Sequence, residues 1–271
     1  MNYHNNEWIM KQINRHYNYA LTLYNEKQII GVFCQGSQNY GLDLETSDID
    51  TKCLLTPLFK DICLDRRPVS TTHILDNEEH LDAKDVRSYV SCFRKQNLNF
   101  LEILFTDYYI LNPLYEAQWN RLIAAREQIA HMNPFRAVKA MKGVALEKYH
   151  AMEHRYPAKV YLIETYGYDG KQVHHLLRIE DYLRRYINGE SYLACLCPSE
   201  SLVPYIMKYK RQEIPLEVAR IEAAEAIERV DKIADNFCEQ VEDKEDPEMR
   251  ELLEDVSYEI MKISVKKEIL C

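Results

Sequence analysis

The 271-residue sequence is long enough for one large domain or two smaller ones, and we predict two lobes. Charged residues make up 28% and hydrophobic residues 46% of the chain, a balance typical of globular proteins that leaves little room for long disorder. The formal net charge of −9 argues against a protein that coats nucleic acid, because that function uses clustered Lys and Arg over a large surface. A local basic cleft is still compatible with this charge.

The cysteines and the N-terminus indicate a reducing compartment. The eight cysteines include no Cys-x-x-Cys pair, and Cys195 and Cys197 lack the usual spacing of zinc ligands. The first twelve residues show no apolar core of a signal peptide. No apolar run approaches the roughly eighteen residues needed to span a bilayer. We therefore predict a cytoplasmic protein with reduced thiols and no membrane partner.

The first part of the chain combines a helical pattern with strand-like blocks. An amphipathic helix is predicted over residues 7–24, where apolar side chains recur every three or four positions. Three apolar blocks, the third weaker than the others, predict strands separated by loops that contain Gly36, Gly41 and Pro57. These blocks cover residues 29–34, 49–55 and 79–83.

Helical patterns dominate after the third block. Asp85 can cap a helix that ends near residues 96–97, and a further helix is predicted over residues 100–105. From Tyr115 onward strand signals nearly vanish, and long helical periodicities are broken only at Pro and Gly. The Glu-rich stretch 239–254 is interpreted as a solvated turn between the last two helices.

These elements predict an α+β fold with two domains. The first, residues 1–114, contains a small mixed β-sheet with flanking helices. The second, residues 115–271, is a mainly helical C-terminal lobe.

One segment carries most of the chemical information. Gly36-Ser37 follows the first strand block, and after ten residues Asp48-Ile-Asp50 opens the second. A glycine there allows the backbone to approach a ligand, and successive N–H groups can form a concavity for anions. Because side chains two apart in a strand share a face, both aspartates are predicted to point the same way while Ile49 points into the core.

Two carboxylates on one face repel each other unless a cation lies between them. Hard oxygen ligands suit Mg²⁺ or Mn²⁺, which take their remaining ligands from water and from a nucleoside triphosphate. A pair of such ions can activate an attacking hydroxyl and neutralise the leaving pyrophosphate. The joint occurrence of the Gly-Ser turn and the aspartate pair therefore predicts a two-ion nucleotidyl-transfer site.

This segment resembles the DNA polymerase β nucleotidyltransferase superfamily, in which Gly-Ser or Gly-Gly follows one strand and Asp-x-Asp lies on the next. Further motifs resemble its predicted nucleotidyltransferase family, also called the RNA-repair-pathway polymerase-β family. The resemblance covers most of residues 30–195. The motifs that carry it are Tyr40-Gly41, Ser47, Asn97-x-Asn-Phe-Leu-Glu102-Ile-Leu and Gly170-Lys171-x-x-His174-His175-Leu-Leu-Arg178.

The resemblance implies a third metal-binding, catalytic carboxylate on a later strand. Asp82 and Asp85 are the main candidates, with Glu79 third. Asp82 and Asp85 have opposite parity and cannot both face the metal ions in a regular strand. We favour Asp82 as a ligand together with Asp48 and Asp50, because Asp85 has a ready role as an N-cap.

The nucleotide-binding candidates lie in both predicted domains. Glu102 could orient a ligand or pair with a neighbouring basic side chain, and the sequence leaves both readings open. In the helical lobe a basic stripe could hold the triphosphate, although a solvated charged face is the alternative. The predicted nucleotide contacts are Gly36, Ser37, Tyr40, Ser47, Lys171, His174 and Arg178, with His175 as an alternative to His174.

A second basic face is a candidate acceptor site. It lies on the first long helix of the second lobe, where ordinary surface lysines are the simpler interpretation. It comprises Arg136, Lys139, Lys142 and Lys148.

The leading hypothesis is an enzyme that moves a nucleoside monophosphate from an NTP to an acceptor hydroxyl and releases pyrophosphate. The first domain would be catalytic, and the second would bind substrate and nucleotide. The acceptor could be an RNA end, a protein or a small molecule, because fold does not fix function. The alternative is a non-catalytic module on the same scaffold that senses nucleotides or binds a partner protein.

Overall fold

The computed structural model describes residues 3–270, without the side chain of Ala158. The strands are β1 (Ile29–Gln35), β2 (Asp50–Leu55), β3 (Ser70–Ile74), β4 (His80–Asp85) and β5 (Tyr109–Leu111). The first helices are α1 (Asn6–Leu23), α2 (Phe59–Cys63), α3 (Val86–Arg94), α4 (Leu98–Leu101), α5 (Glu116–Ala124) and α6 (Arg126–Ala130). The later helices are α7 (Pro134–Ala151), α8 (Val160–Tyr166), α9 (Gly170–Ile187), α10 (Tyr192–Leu196), α11 (Val203–Lys210), α12 (Leu216–Gln240) and α13 (Pro247–Ile269).

Within residues 3–270 the strands form one five-stranded sheet in the order β3-β4-β2-β1-β5. β2 and β4 run parallel, whereas the other neighbouring strands are antiparallel. After β5, the described residues form helices and loops but no strand. The predicted α+β class, a small mixed sheet followed by a mainly helical region, is confirmed.

Helix α1 covers one face of the sheet. Apolar residues on successive turns of the helix meet every second residue of β1, β2 and β4, because alternate strand residues share a face. Each fully buried aliphatic side chain in such a cluster contributes roughly 1.5–3 kcal/mol through removal from water. The cluster includes Ile9, Ile13, Ala20, Val32, Cys34, Cys53, Leu55, Leu81 and Ala83.

The opposite face of the sheet carries an aromatic contact between β1 and α5. The ring of Phe33 lies 4.5 Å from that of Trp119, between ring centroids, and both side chains are buried. Beside it, a Cβ added to Gly31 would lie 2.9 Å from the carbonyl oxygen of Ile110. A larger residue at position 31 would therefore push β5 away from β1, which explains the glycine in an otherwise apolar strand.

Two strands, β3 and β5, were not predicted from the sequence. The side chains of β3 are exposed except for the partly buried His73, and β5 is only three residues long. Both are edge strands of the sheet. An edge strand with one solvated side does not need the apolar block by which the central strands were predicted.

The last helix returns to the sheet. On α13, Leu253, Val256 and Ile260 are buried, and Ser264 donates a hydrogen bond to the hydroxyl of Thr56 (2.8 Å) directly after β2. Where the chain enters this helix, the Arg94 guanidinium binds Glu245 through two hydrogen bonds of 2.7 and 2.9 Å.

As a result, the described chain divides into two compact units that differ from the expected domains. One contains the residues up to Asn133 together with those from Glu245 onward, and the other is Pro134–Lys244. The expected boundary after residue 114 thus falls inside the first unit. The predicted turn 239–254 is also shorter in the structure, since α12 ends at Gln240 and α13 begins at Pro247.

The second unit is built from α7 to α12. Small residues on α12, among them Ala219, Ala223 and Ala226, are fully buried. The N-terminus of α9 approaches α11 closely, because a Cβ on Gly170 would overlap the carbonyl of Tyr209. Among residues 3–270, no helix combines the length and apolar character needed to cross a bilayer.

Asp85 caps α3, as predicted. Its carboxylate accepts a hydrogen bond from the N–H of Arg87 (2.9 Å) and binds the Arg87 guanidinium, while the residue is only 1% exposed. We expect Asp85→Ala to lower the free energy of unfolding by about 2 kcal/mol, because it removes the cap and leaves the guanidinium without this acceptor. Asp85→Asn keeps the capping oxygen and should recover part of the loss. Equal urea midpoints for the wild type and the Ala variant would contradict this role.

Candidate active site

The Gly-Ser turn directly follows β1. Gly36 has φ +105° and ψ −154°, a conformation essentially restricted to glycine, and Ser37–Asn39 form a turn of 3₁₀ helix. Among the described residues, the nearest atom to a Cβ added at Gly36 is the side-chain oxygen of Gln38, 3.8 Å away. The requirement for glycine therefore comes from the backbone conformation rather than from lack of space.

A buried carboxylate holds this turn. Glu102, 3% exposed, accepts hydrogen bonds from the N–H of Gly36 (2.8 Å), the hydroxyl of Tyr40 (2.6 Å) and the amide of Asn39. From the sequence, Glu102 could either orient a ligand or pair with a basic residue. In the structure it has a third role, because it is the hydrogen-bond acceptor that fixes the turn. Tyr40, predicted as a nucleotide contact, directs its hydroxyl to this carboxylate.

The aspartate pair lies at the start of the neighbouring strand. Asp50 is the first residue of β2 and lies opposite Gln35, the last residue of β1. Asp48 is exposed and precedes the strand, so the predicted alternation along a regular strand applies only from Asp50 onward. The side-chain amide of Gln38 donates to the carbonyl of Asp48 (2.8 Å), which ties the glycine turn to the aspartate loop.

Asp50 is further positioned by β4. Its carboxylate accepts from the backbone N–H of His80 (3.0 Å) and lies 3.1 Å from His80 Nδ1. The Asp50 side chain is 40% exposed, so it stays accessible to a ligand.

Behind the pair, a buried polar network supports the backbone. Glu79 accepts a hydrogen bond from the N–H of Ile49 (3.2 Å), between the two aspartates, and lies 2.8 Å from His16 Nε2. Burial acts to raise the pKa of Glu79, but hydrogen bonds from His16, Asn77 and Ile49 and the charge of Arg15 leave that pKa lowered. Glu79, the third candidate for the extra metal-binding carboxylate, is thus already bonded to His16 and to the backbone of Ile49.

The loop between the turn and the pair is also anchored. Asp43 accepts from the N–H groups of Tyr3 and His4, both at 2.9 Å, and its side chain is fully buried. Ser47, a predicted nucleotide contact, accepts from the N–H of Leu44 (2.8 Å) within the same loop.

Asp82 pairs with Lys52, a residue not predicted from the sequence as part of the site. Its carboxylate lies 2.6 Å from Nζ of Lys52, and the two residues are opposite each other in the parallel β2–β4 register. The sequence contained an indication of this role, because Lys52 is a charged residue within an apolar strand and lies two positions after Asp50, on the same face of that strand.

The carboxylates fit part of the predicted metal centre. In the part of the chain that the structure describes, no three His, Cys, Asp or Glu side chains converge well enough to hold a metal ion. The carboxylates of Asp48 and Asp50 are hard oxygen donors of the kind that suits Mg²⁺ or Mn²⁺, and an ion bound there would take its remaining ligands from water and phosphate oxygens. Two ions on three carboxylates stay a prediction.

The basic residues of α9 differ in their surroundings. His174 is 1% exposed with Nδ1 3.1 Å from the carbonyl oxygen of Ile206, a position typical of a packed core histidine rather than a phosphate contact. Lys171 and Arg178 are partly exposed, and Arg178 donates to the carbonyl of Leu196 (3.3 Å). Their contact with a triphosphate stays a prediction.

The burial of His174 predicts a pH dependence of stability. Burial, with the charge of Lys210 next, lowers the pKa of His174 from 6.5 to about 3. Below pH 6.5 the unfolded chain binds a proton that the folded chain does not, so stability present at neutral pH is lost as the pH falls toward 3. Between pH 7 and 5 this histidine should account for a loss of about 2 kcal/mol in the free energy of unfolding.

The comparison of His174→Gln with the exposed His154→Gln tests this prediction by urea denaturation at both pH values. The first variant should show the smaller pH dependence. Equal pH dependence in the two variants would contradict it.

The second basic face, on α7, is largely neutralised within its own unit. Arg136 binds Asp243 (2.8 Å), and Lys142 binds Asp235 (2.8 Å). Lys148 binds its neighbour Glu147. These pairs favour the interpretation as an ordinary charged helix surface over an acceptor site.

A scan against known protein families and a search of curated proteins give no match to this chain. Among solved structures, the chain is similar to a nucleotidyltransferase-like protein from Exiguobacterium sibiricum 255-15, with 11% sequence identity and a TM-score of 0.29. The similarity covers 84% of this chain and 75% of that protein. At a TM-score this low, the similarity carries no weight for the function of this chain.

Proposed function

We propose that this protein is a metal-dependent nucleotidyltransferase that moves a nucleoside monophosphate from an NTP to an acceptor hydroxyl. The main support is the pairing of Gln35 with Asp50, which sets the Gly36-Ser37 turn beside the aspartate pair at the same end of two neighbouring strands. The hydrogen bond from Gln38 to the Asp48 carbonyl adds a direct link between the two features.

Each part of this site has a task in the proposed reaction. The partly exposed Ser37 offers a hydroxyl and a backbone N–H to phosphate oxygens, because the glycine conformation turns the chain away from the strand. Asp48 and Asp50 would hold the divalent cation, Mg²⁺ or Mn²⁺. Bound there, the cation would neutralise charge on the triphosphate and on the leaving pyrophosphate.

The proposed step is a substitution at the α-phosphorus. The acceptor oxygen forms a bond to this phosphorus, the bond to the α,β-bridging oxygen breaks, and pyrophosphate leaves. The hydroxyl proton is released to solvent. Since little covalent chemistry is required of the protein, the fixed positions of the turn and the carboxylates supply most of the catalysis.

The acceptor is an RNA end, a protein or a small molecule, and an extract experiment distinguishes them. The purified protein is incubated with each α-labelled NTP, Mg²⁺ and a whole-cell extract, and label is followed into RNA, protein and metabolites. We expect one fraction to become labelled, and the Asp48→Asn, Asp50→Asn double variant to transfer none.

The exposed Asp76→Asn serves as the matched control, because it removes a carboxylate from the β3–β4 turn and not from the site. Undiminished transfer by the double variant would exclude the assignment. Thermal stabilisation by Mg²⁺ and ATP without any transfer would instead support a nucleotide-sensing module.

A further inference from the structure

A lysine lies inside the candidate active site. Lys52 follows Asp50 by two residues on β2 and therefore shares its face of the sheet. Its Nζ lies 2.6 Å from Asp82 Oδ2 and 4.5 Å from the centroid of the Phe100 ring. The Lys52 side chain is 9% exposed and the Asp82 side chain 19%.

Asp82 and Phe100 hold the Lys52 ammonium group in position. An ammonium removed from water is strongly destabilised unless it has a counter-ion, and Asp82 supplies one. The face of the Phe100 ring adds a favourable cation–π contact. Lys52 is thus a buried, paired lysine rather than a solvated surface lysine.

Lys84 provides a natural comparison. It lies on β4, two residues after Asp82, and its Nζ is 4.8 Å from the same Phe100 ring. Its ammonium, however, donates to the hydroxyl of Ser70 (2.8 Å). The two lysines therefore share a face and an aromatic neighbour but differ in their acceptor.

We infer that Lys52 takes the place of one of the two metal ions expected at this site. Asp82 is then the counter-ion of Lys52 rather than a metal ligand, and the centre holds a single divalent cation on Asp48 and Asp50. A second cation on Asp82 would have to displace the ammonium, which would leave a buried lysine without its counter-ion beside a doubly charged ion. This inference rests on the proposed function.

Counting bound Mn²⁺ tests the inference without measuring activity. The protein is dialysed to equilibrium against Mn²⁺ and an equimolar mixture of the four α,β-methylene nucleoside triphosphates, and bound metal is measured by electron paramagnetic resonance. Ions lost in the Asp48→Asn, Asp50→Asn double variant are counted as belonging to the centre. We expect one ion per wild-type chain.

The lysine and Asp82 variants make the test specific. Lys52→Met frees the Asp82 carboxylate and should raise the count to two, whereas Lys84→Met should leave it at one. Asp82→Asn should also keep one ion, and it provides an independent reading if Lys52→Met does not fold.

The possible outcomes separate the two proposals. Two ions in the wild type, or loss of an ion in Asp82→Asn, would overturn the role of Lys52 and leave the proposed function standing. A count unchanged between the wild type and a folded Lys52→Met would also overturn it. No difference between the wild type and the Asp48→Asn, Asp50→Asn variant would contradict the metal-dependent function itself.

Discussion

Gly36→Ala is expected to lower nucleotide transfer about 100-fold, because small displacements of groups that position a substrate have effects of this size. At φ +105° and ψ −154° the alanine Cβ is strained, and the chain relieves that strain by moving the turn away from Asp48 and Asp50. The rate of transfer from each NTP at saturating Mg²⁺ measures the effect.

Gly189→Ala is the matched control. Gly189 has φ +83°, and no described atom lies within 4 Å of an added Cβ, so its replacement imposes backbone strain without a clash in the helical unit. Gly189→Ala should lose about 1 kcal/mol in the free energy of unfolding and Gly36→Ala at least as much, and only Gly36→Ala should lose transfer. Equal transfer by the two variants would show that the turn has no part in the reaction.

The largest effect on stability in the site is expected for Glu102→Ala. The substitution leaves the N–H of Gly36, the hydroxyl of Tyr40 and the amide of Asn39 without their shared acceptor. Each buried donor left unsatisfied costs about 1–3 kcal/mol, so we expect a loss of about 3 kcal/mol or more in the free energy of unfolding, measured by urea denaturation.

An exposed glutamate on α13 gives the reference value. Glu251→Ala should change the free energy of unfolding by no more than about 0.5 kcal/mol, as is usual for exposed positions. If Glu102→Ala and Glu251→Ala had the same stability, the carboxylate would not hold the turn as described.

The central strands were predictable and the edge strands were not. β1 and β2 are buried through most of their length, so their apolar runs stand out in the sequence. β3 reads Ser-Thr-Thr-His-Ile, and its side chains are mostly exposed. Because pairing with β4 defines it as a strand, local hydrophobicity does not reveal it.

Which helices belong to the unit with the sheet depends on the packing of α13, and no local sequence pattern specifies that packing. The apolar face of α13 predicts a helix that packs against something, but not that it packs with α3 and α5, more than 100 residues earlier. Ion pairs such as Arg121 with Glu259 (2.8 Å) accompany this return. A boundary placed where strand signals end therefore separates α5 and α13 from the compact unit that contains the sheet.

The sequence suggested the chemical groups of the candidate site but not the residues that hold them in position. Short motifs with a fixed spacing singled out Gly36 and Asp50 as candidates, and their roles stay a prediction. The sequence did not identify the acceptor role of Glu102, since the Gly36 N–H that it binds lies 66 residues away. The pairing of Lys52 with Asp82 depends in the same way on the β2–β4 register.

The most direct test of the central claim follows both ends of the triphosphate. An NTP labelled at the α- and γ-phosphates is incubated with the protein, Mg²⁺ and the extract fraction that contains the acceptor. We predict that the α-label becomes attached to the acceptor while an equal amount of γ-label appears as pyrophosphate. γ-Label on the acceptor, γ-label in orthophosphate without α-label on the acceptor, or an intact NTP would contradict a nucleotidyltransferase.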